Sequence, residues 1–266
     1  MNRISLIILL LVISCLTVSG TFISSPSSPS SSIVSIPEVN EGPKTVRLTK
    51  LNFEDSIRSL YQSIGLAKIG MNYDVFRYGM IGFYSLKESG KLSDRNLVSF
   101  IDFSKPSTEK RFYTVDLDSR SVKFHSLVSH GKNTGENMAT VFSNRPHSNQ
   151  SSLGFYVTGE TYVGSKGYSM RLDGVDGNHN SNMRNRAVVM HDAEYVSQAW
   201  IKKYGRLGRS QGCPALPKDI SKKVIDTIKD KTVIFAYFND VNYLKTSAHL
   251  NLDNLFLKLD EALAIN

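Results

Sequence analysis

The stretch RAVVMHDAEYVSQAWIKKYGRLGRSQGCPALPKD, residues 186–219, carries the pattern that decides how this chain folds. A short apolar run ends on His191, and helical spacing follows from Glu194 to Lys203. A glycine-rich loop then holds Cys213, and Pro217 opens a second helix over Lys218 to Lys229. Strand, helix, loop and helix in that order bring His191 and Cys213 to one edge of a sheet. The thiol lies among turn-forming residues, Ser210, Gly212 and Pro214, rather than on an apolar face.

Outward from this stretch the chain is mostly strand. LVSFIDF (97–103), KRFYTVDL (110–117), SVKFHSLV (121–128), SSLGFYVTGETYVG (151–164), YSMRLDGV (168–175) and TVIFAYF (232–238) are short alternating or apolar runs. The triplet Asp118-Ser119-Arg120 suits a hairpin turn. Phe53, Ile57, Leu60, Tyr61 and Ile64 recur at helical spacing, as do Val75, Phe76, Met80, Phe83, Tyr84 and Leu86, with Gly65 and Gly90 closing the two helices. The fold class is α+β: a β-rich mixed-sheet sandwich, with short helices flanking the loop of Cys213 and a small helical segment before it. The divisions are a segment 1–20, a Ser/Pro-rich linker 21–50, helices over 51–91, the main domain 92–240, and an amphipathic tail 241–266. That tail reads as lying outside the domain. Asp and Asn in DGVDGNHNSN lack the order of a calcium loop and read as turns.

An ordinary cysteine, with a pKa near 8.5, is only a few per cent thiolate at neutral pH, so a nucleophilic Cys213 needs a base. His191 is the candidate. Gly212 lets a substrate approach the backbone, and the N–H groups of Gly212 and Cys213 are candidate donors to an oxyanion. Arg209 is a candidate cation for the thiolate or a substrate carboxylate, and an ordinary exposed loop arginine is the equal alternative. His130, at the start of a glycine-rich loop, suits a structural role. Tyr156, Tyr162 and Tyr168 suit strand packing, with one or two available to line a groove. No zinc spacing and no phosphate-cradling loop occurs, so no cofactor is implied.

The opening MNRISLIILLLVISCLTVSG has the shape of a secretory signal: one Arg, an apolar run, then small residues. Two outcomes stay open. Cleavage after Gly20 gives a soluble product, and a lipobox-like Val12-Ile13-Ser14-Cys15 gives a membrane association through a lipid anchor on Cys15. Either outcome implies export to the periplasm or cell envelope. Lys and Arg total 32 against 24 Asp and Glu, a net charge of +8, which suits an anionic wall polymer or lipid surface. The basic residues are scattered with no aromatic-interleaved module, which argues against nucleic acid. Cys15 and Cys213 are the two cysteines, and with Cys15 inside the N-terminal apolar stretch the sequence argues against an intrachain disulfide framework. Oligomeric state is not written in the sequence.

VVMHDAEYVS and GRLGRSQGCPALP, with SSLGFYVTGETYVGSKGYSMRLDG upstream, resemble the L,D-transpeptidase (YkuD-like) catalytic domain family, in its exported murein branch, over about residues 92–238. His191, Ser210, Gly212 and Cys213 match the family's motif. Gln211 departs from its usual His, and Pro214-Ala215 from its usual apolar residue plus Arg or Asn. The resemblance implies that the Asp192 carbonyl orients the imidazole, and a carboxylate orienter is also open. It further implies acyl transfer on peptidoglycan stem peptides: Cys213 attacks the third residue, D-alanine leaves, and an amine resolves the thioester. Water as acceptor makes the same dyad an L,D-carboxypeptidase. A non-catalytic wall-binding module is the reading from another class. Sortase-like enzymes need an Arg after the Cys, which is missing here, and papain-like enzymes need Cys before His in chain order.

Overall fold

The computed structural model describes residues 50–264. The leader 1–20 with Cys15, and the linker through residue 49, lie outside the described residues. The chain divides into two units, Met1–Ser56 and Ile57–Asn266. Of the first, only the opening turns of helix α1 (Lys50–Ile64) are described, and everything below concerns the second.

Eight strands build one mixed sheet: β1 (Leu97–Asp102), β2 (Phe112–Asp116), β3 (Ser121–Ser126), β4 (Gly154–Gly164), β5 (Gly167–Gly174), β6 (Val189–Asp192), β7 (Ala215–Leu216) and β8 (Val233–Tyr237). Their spatial order is β3-β2-β1-β8-β4-β5-β6-β7. The central strands β1 and β8 pair in parallel and are buried almost throughout; β8 is a continuous apolar run, and β1 is one apart from Ser99 and Asp102. Between β2 and β3 the Asp116 carboxylate accepts the N–H groups of Asp118 and Ser119, at 3.0 and 3.1 Å, which forms the predicted hairpin turn. The chain beyond β3 reaches the far edge strand: Ser129 N–H donates to Ala215 O at 2.9 Å, and Gly131 bridges Ser210. The two sheet edges therefore meet beside the Cys213 loop.

Helix α2 (Tyr73–Glu88) starts at Asn72, whose side chain accepts from Asp74 N–H. Its glycines let it lie directly on the sheet: a Cβ at Gly79 would collide with Phe100, and one at Gly82 would fall within the ring of Phe155. The helix expected from Glu194 begins later, as α4 (Gln198–Tyr204), because the Ser197 hydroxyl caps it through Trp200 N–H at 3.2 Å. Helix α5 (Lys218–Ile228) follows Pro217 as expected.

Two expectations are corrected. The stretch read as turns after Gly174 contains a short helix, α3 (Gly177–Asn180), held by a buried carboxylate. Asp176 accepts from Phe155 N–H at 2.7 Å, from Tyr243 O–H at 3.0 Å and from the Ser247 hydroxyl. Tyr243 and Ser247 belong to the C-terminal segment, α6 (Val241–Thr246) and α7 (Leu252–Ala264), which is therefore part of the domain and not outside it. His249 is clamped there too, with Nδ1 at 3.3 Å from the Ser85 hydroxyl and Nε2 donating to Val175 O at 3.1 Å. Among the described residues no helix is long and apolar enough to cross a membrane.

Candidate active site

Strands β6 and β7 run parallel, with His191 opposite Ala215 and Asp192 opposite Leu216. Cys213 stands two residues ahead of Ala215, so the loop delivers its thiol to the start of β6. There Sγ accepts from Val189 N–H at 3.4 Å and lies 3.9 Å from Ala187 O. Two residues along the same strand, and hence on the same face, is His191.

The imidazole is buried and fixed. Its Nδ1 lies 2.6 Å from Asp192 O, and a carbonyl only accepts, so Nδ1 carries the proton and Nε2 keeps a free lone pair. The main-chain carbonyl holds the ring, as the resemblance implied. Burial lowers the pKa of His191, with Lys166 adding to the effect against the opposing pull of the Asp192 carbonyl and carboxylate. The ring is accordingly neutral, the form a proton acceptor needs. Among the described residues no hydrogen bond joins Sγ to His191; apo dyads are commonly longer than their working distance.

Burial raises the thiol's pKa, while the Val189 N–H, Arg186 and Lys166 lower it. Arg186 was missed in the sequence. Its guanidinium donates to Ser143 O, the Ser152 hydroxyl, the Ser148 hydroxyl and Gln150 O, at 2.6 to 3.1 Å, and no carboxylate among the described residues balances it. Arg209 takes the role expected of an ordinary structural cation instead. It is bound to Glu136 at 2.6 Å and to the carbonyls of Lys132 and Gly135, away from the thiol. Arg206 shares Glu136, which the two guanidinium groups hold below the usual carboxylate range.

The loop itself is braced tightly. Ser210, buried, accepts from Gly212 N–H at 3.0 Å and donates to Cys213 O at 2.7 Å. Two further expectations fall here: the Gly212 N–H is engaged and does not face an oxyanion, and the Ser210 hydroxyl binds the loop rather than a substrate. Cys213 N–H has no partner among the described residues and remains the candidate donor for an oxyanion. Gly212 sits at φ 121°, and a Cβ there would meet Gln150 O at 2.7 Å, so both backbone conformation and close approach require glycine.

Tyr195, also missed, packs against Gly208 and lies in the field of Cys213; burial chiefly pushes its hydroxyl up to about 12. His130 is structural, as expected: its Nδ1 accepts from the buried Arg111 at 2.7 Å and its Nε2 donates to Gly135 O and Glu136 O, fixing the loop that receives Arg209. Tyr156 is buried, Tyr168 donates to Asp226, and Tyr162 lies under Arg171.

A family model described as the L,D-transpeptidase catalytic domain matches residues 67–237. Among solved structures the chain is similar to an L,D-transpeptidase from Mycobacterium smegmatis, at 13% identity and a TM-score of 0.34, over 54% of this chain and 59% of that one. It is similar to the helical cell shape determining protein Pgp2 from Campylobacter jejuni, at 13% identity and a TM-score of 0.36, over 66% of this chain and 64% of that one. An L,D-transpeptidase from Stackebrandtia nassauensis aligns over 88% and 90%, at 12% identity and 0.33. The chain thus spans about 59% of the length of the first of these. No curated protein matches.

Proposed function

Since the chain belongs to the L,D-transpeptidase catalytic domain family, we propose that it is a cysteine-dependent acyltransferase of peptidoglycan stem tetrapeptides, working in the cell envelope after export. The observation that carries this reading is the fixed tautomer of His191, with Nε2 unprotonated on the strand beside the Cys213 loop. Nε2 takes the thiol proton as Sγ bonds to the carbonyl carbon of the third residue. The Cys213 N–H stabilises the oxyanion. As the intermediate collapses, the C–N bond breaks and the proton on Nε2 passes to the departing D-alanine amine, leaving a thioester. An acceptor amine gives its proton to Nε2, forms the new C–N bond and releases the thiol.

Incubation of the protein, without its leader, with a disaccharide-tetrapeptide tests this by mass spectrometry. Cross-linked dimer is the expected product, absent with Cys213→Ala and His191→Ala. Tripeptide alone would identify water as the acceptor and make the enzyme a carboxypeptidase. No acyl-enzyme and no product would leave the wall-binding module as the function.

A further inference from the structure

Resting on the reading above, we infer that Lys166, at the tip of the β4–β5 hairpin, receives the terminal carboxylate of the departing residue and so restricts the donor to peptides with a free C-terminus. In the antiparallel pairing of β5 with β6, Met170 lies opposite Met190 and Arg171 opposite Val189. Continuing that register sets Ser169 across from His191 and Tyr168 across from Asp192, so the turn Gly164-Ser165-Lys166-Gly167 overhangs the end of β6. A Cβ at Gly167 would touch the Asp192 carboxylate at 3.7 Å, which fixes the turn beside the catalytic strand.

The Lys166 side chain is exposed, and among the described residues its ammonium has no hydrogen bond or ion pair. Its charge nevertheless acts on both the thiol and the imidazole. The departing amine must reach His191 to be protonated, and its carboxylate lies only one residue length, about 3.5 Å, beyond that amine. A free cation on the turn beside the end of β6, whose charge reaches both His191 and Cys213, is placed to meet the carboxylate at that point. The other candidate, Arg145, is exposed on the rim of a cavity of about 560 Å³ with His147, Ser148 and Gln150. That cavity lies against the Gly212 side of the loop, through the Gln150 carbonyl, not over the histidine.

Two donors separate the possibilities: a stem tetrapeptide with a free C-terminal carboxylate, and the same peptide as its carboxamide. The readout is the ratio of kcat/KM for acyl-enzyme formation, acid over amide, within each variant. Any change in thiol or imidazole tuning cancels in that ratio. Wild type should favour the acid by about tenfold, the yield of one charge-assisted hydrogen bond. Lys166→Met should bring the ratio close to one, and Lys166→Arg should restore most of it. An unchanged ratio in Lys166→Met overturns the inference, as does a ratio that collapses in Arg145→Met instead. Absence of acyl-enzyme with either donor would sink the proposed reaction separately. Binding of the two peptides to Cys213→Ala protein then decides on Lys166, and equal affinities overturn its role.

Discussion

At the level of single residues the site turns on a thiol pulled two ways. Burial opposes the thiolate of Cys213, while Arg186, Lys166 and the Val189 N–H favour it. Arg186 is the cation set into the structure, held by four oxygen acceptors and balanced by no carboxylate among the described residues. Arg186→Gln keeps an amide that can bond part of that set and removes the charge. The expected outcome is a pH profile for alkylation of Cys213 by iodoacetamide displaced to higher pH, with a rate at pH 7 roughly threefold lower. Circular dichroism and melting guard against a collapsed loop, and an unmoved profile in a folded variant would remove Arg186 from thiol tuning. The histidine and cysteine were legible in the sequence because their chemistry needs rare residue types in a narrow frame. Arg186 was not, since a basic residue before a strand is ordinary and its approach to the thiol depends on the packing of residues 143–152. Arg209 leaves the sequence reading evenly open between a site cation and an ordinary loop arginine, and the structure favours the second: proximity in sequence to Cys213 does not survive the turn, which carries its side chain to Glu136.

At the level of elements, periodicity exposed the strands and helices, and what escaped it was polar. The Asp176 network that builds α3 and secures the tail has no periodic signature, because its partners lie 21 to 71 residues away in sequence. Nor does periodicity explain why α2 carries two glycines. In isolation each should weaken the helix by about 1 kcal/mol relative to alanine. The close approach of α2 to the sheet reverses the expectation, since the Phe155 ring, stacked on Phe235 at 4.4 Å, lies directly beneath Gly82. Gly82→Ala gains the propensity and overpacks the core, a cost of about 1 to 3 kcal/mol. A net destabilisation is expected as a lower urea midpoint with an unchanged slope. A raised midpoint would mean that α2 stands off the sheet further than described.

Across the whole molecule the buried and half-buried histidines tie stability to pH. His125, His130, His191 and His249 are all held below the ordinary histidine value, chiefly by burial, and Arg111 adds to the effect at His130. The sign follows from linkage: a histidine whose folded pKa is depressed stabilises the fold fully above its unfolded value and loses that contribution as pH falls through the folded one. His130 is the clearest case, brought down to about 4 from about 6.5. At 1.36 kcal/mol per unit, that difference is worth about 3 kcal/mol, lost progressively between about pH 6.5 and pH 4. Asp102 works in the opposite direction, because burial raises its carboxyl and favours the fold in acid. Four lowered histidines against the raised carboxyls of Asp102 and Glu88 should give a melting temperature that falls on acidification across this window. His130→Asn removes the largest titrating group while its amide can still accept from Arg111. The variant should melt lower than wild type at pH 7.5, where the imidazole bonds are intact, and show a flatter dependence between pH 6.5 and 4. Parallel curves for the two proteins would mean that His130 is not the acid-sensitive group, and that the loop holding Arg209 tolerates a charged imidazole.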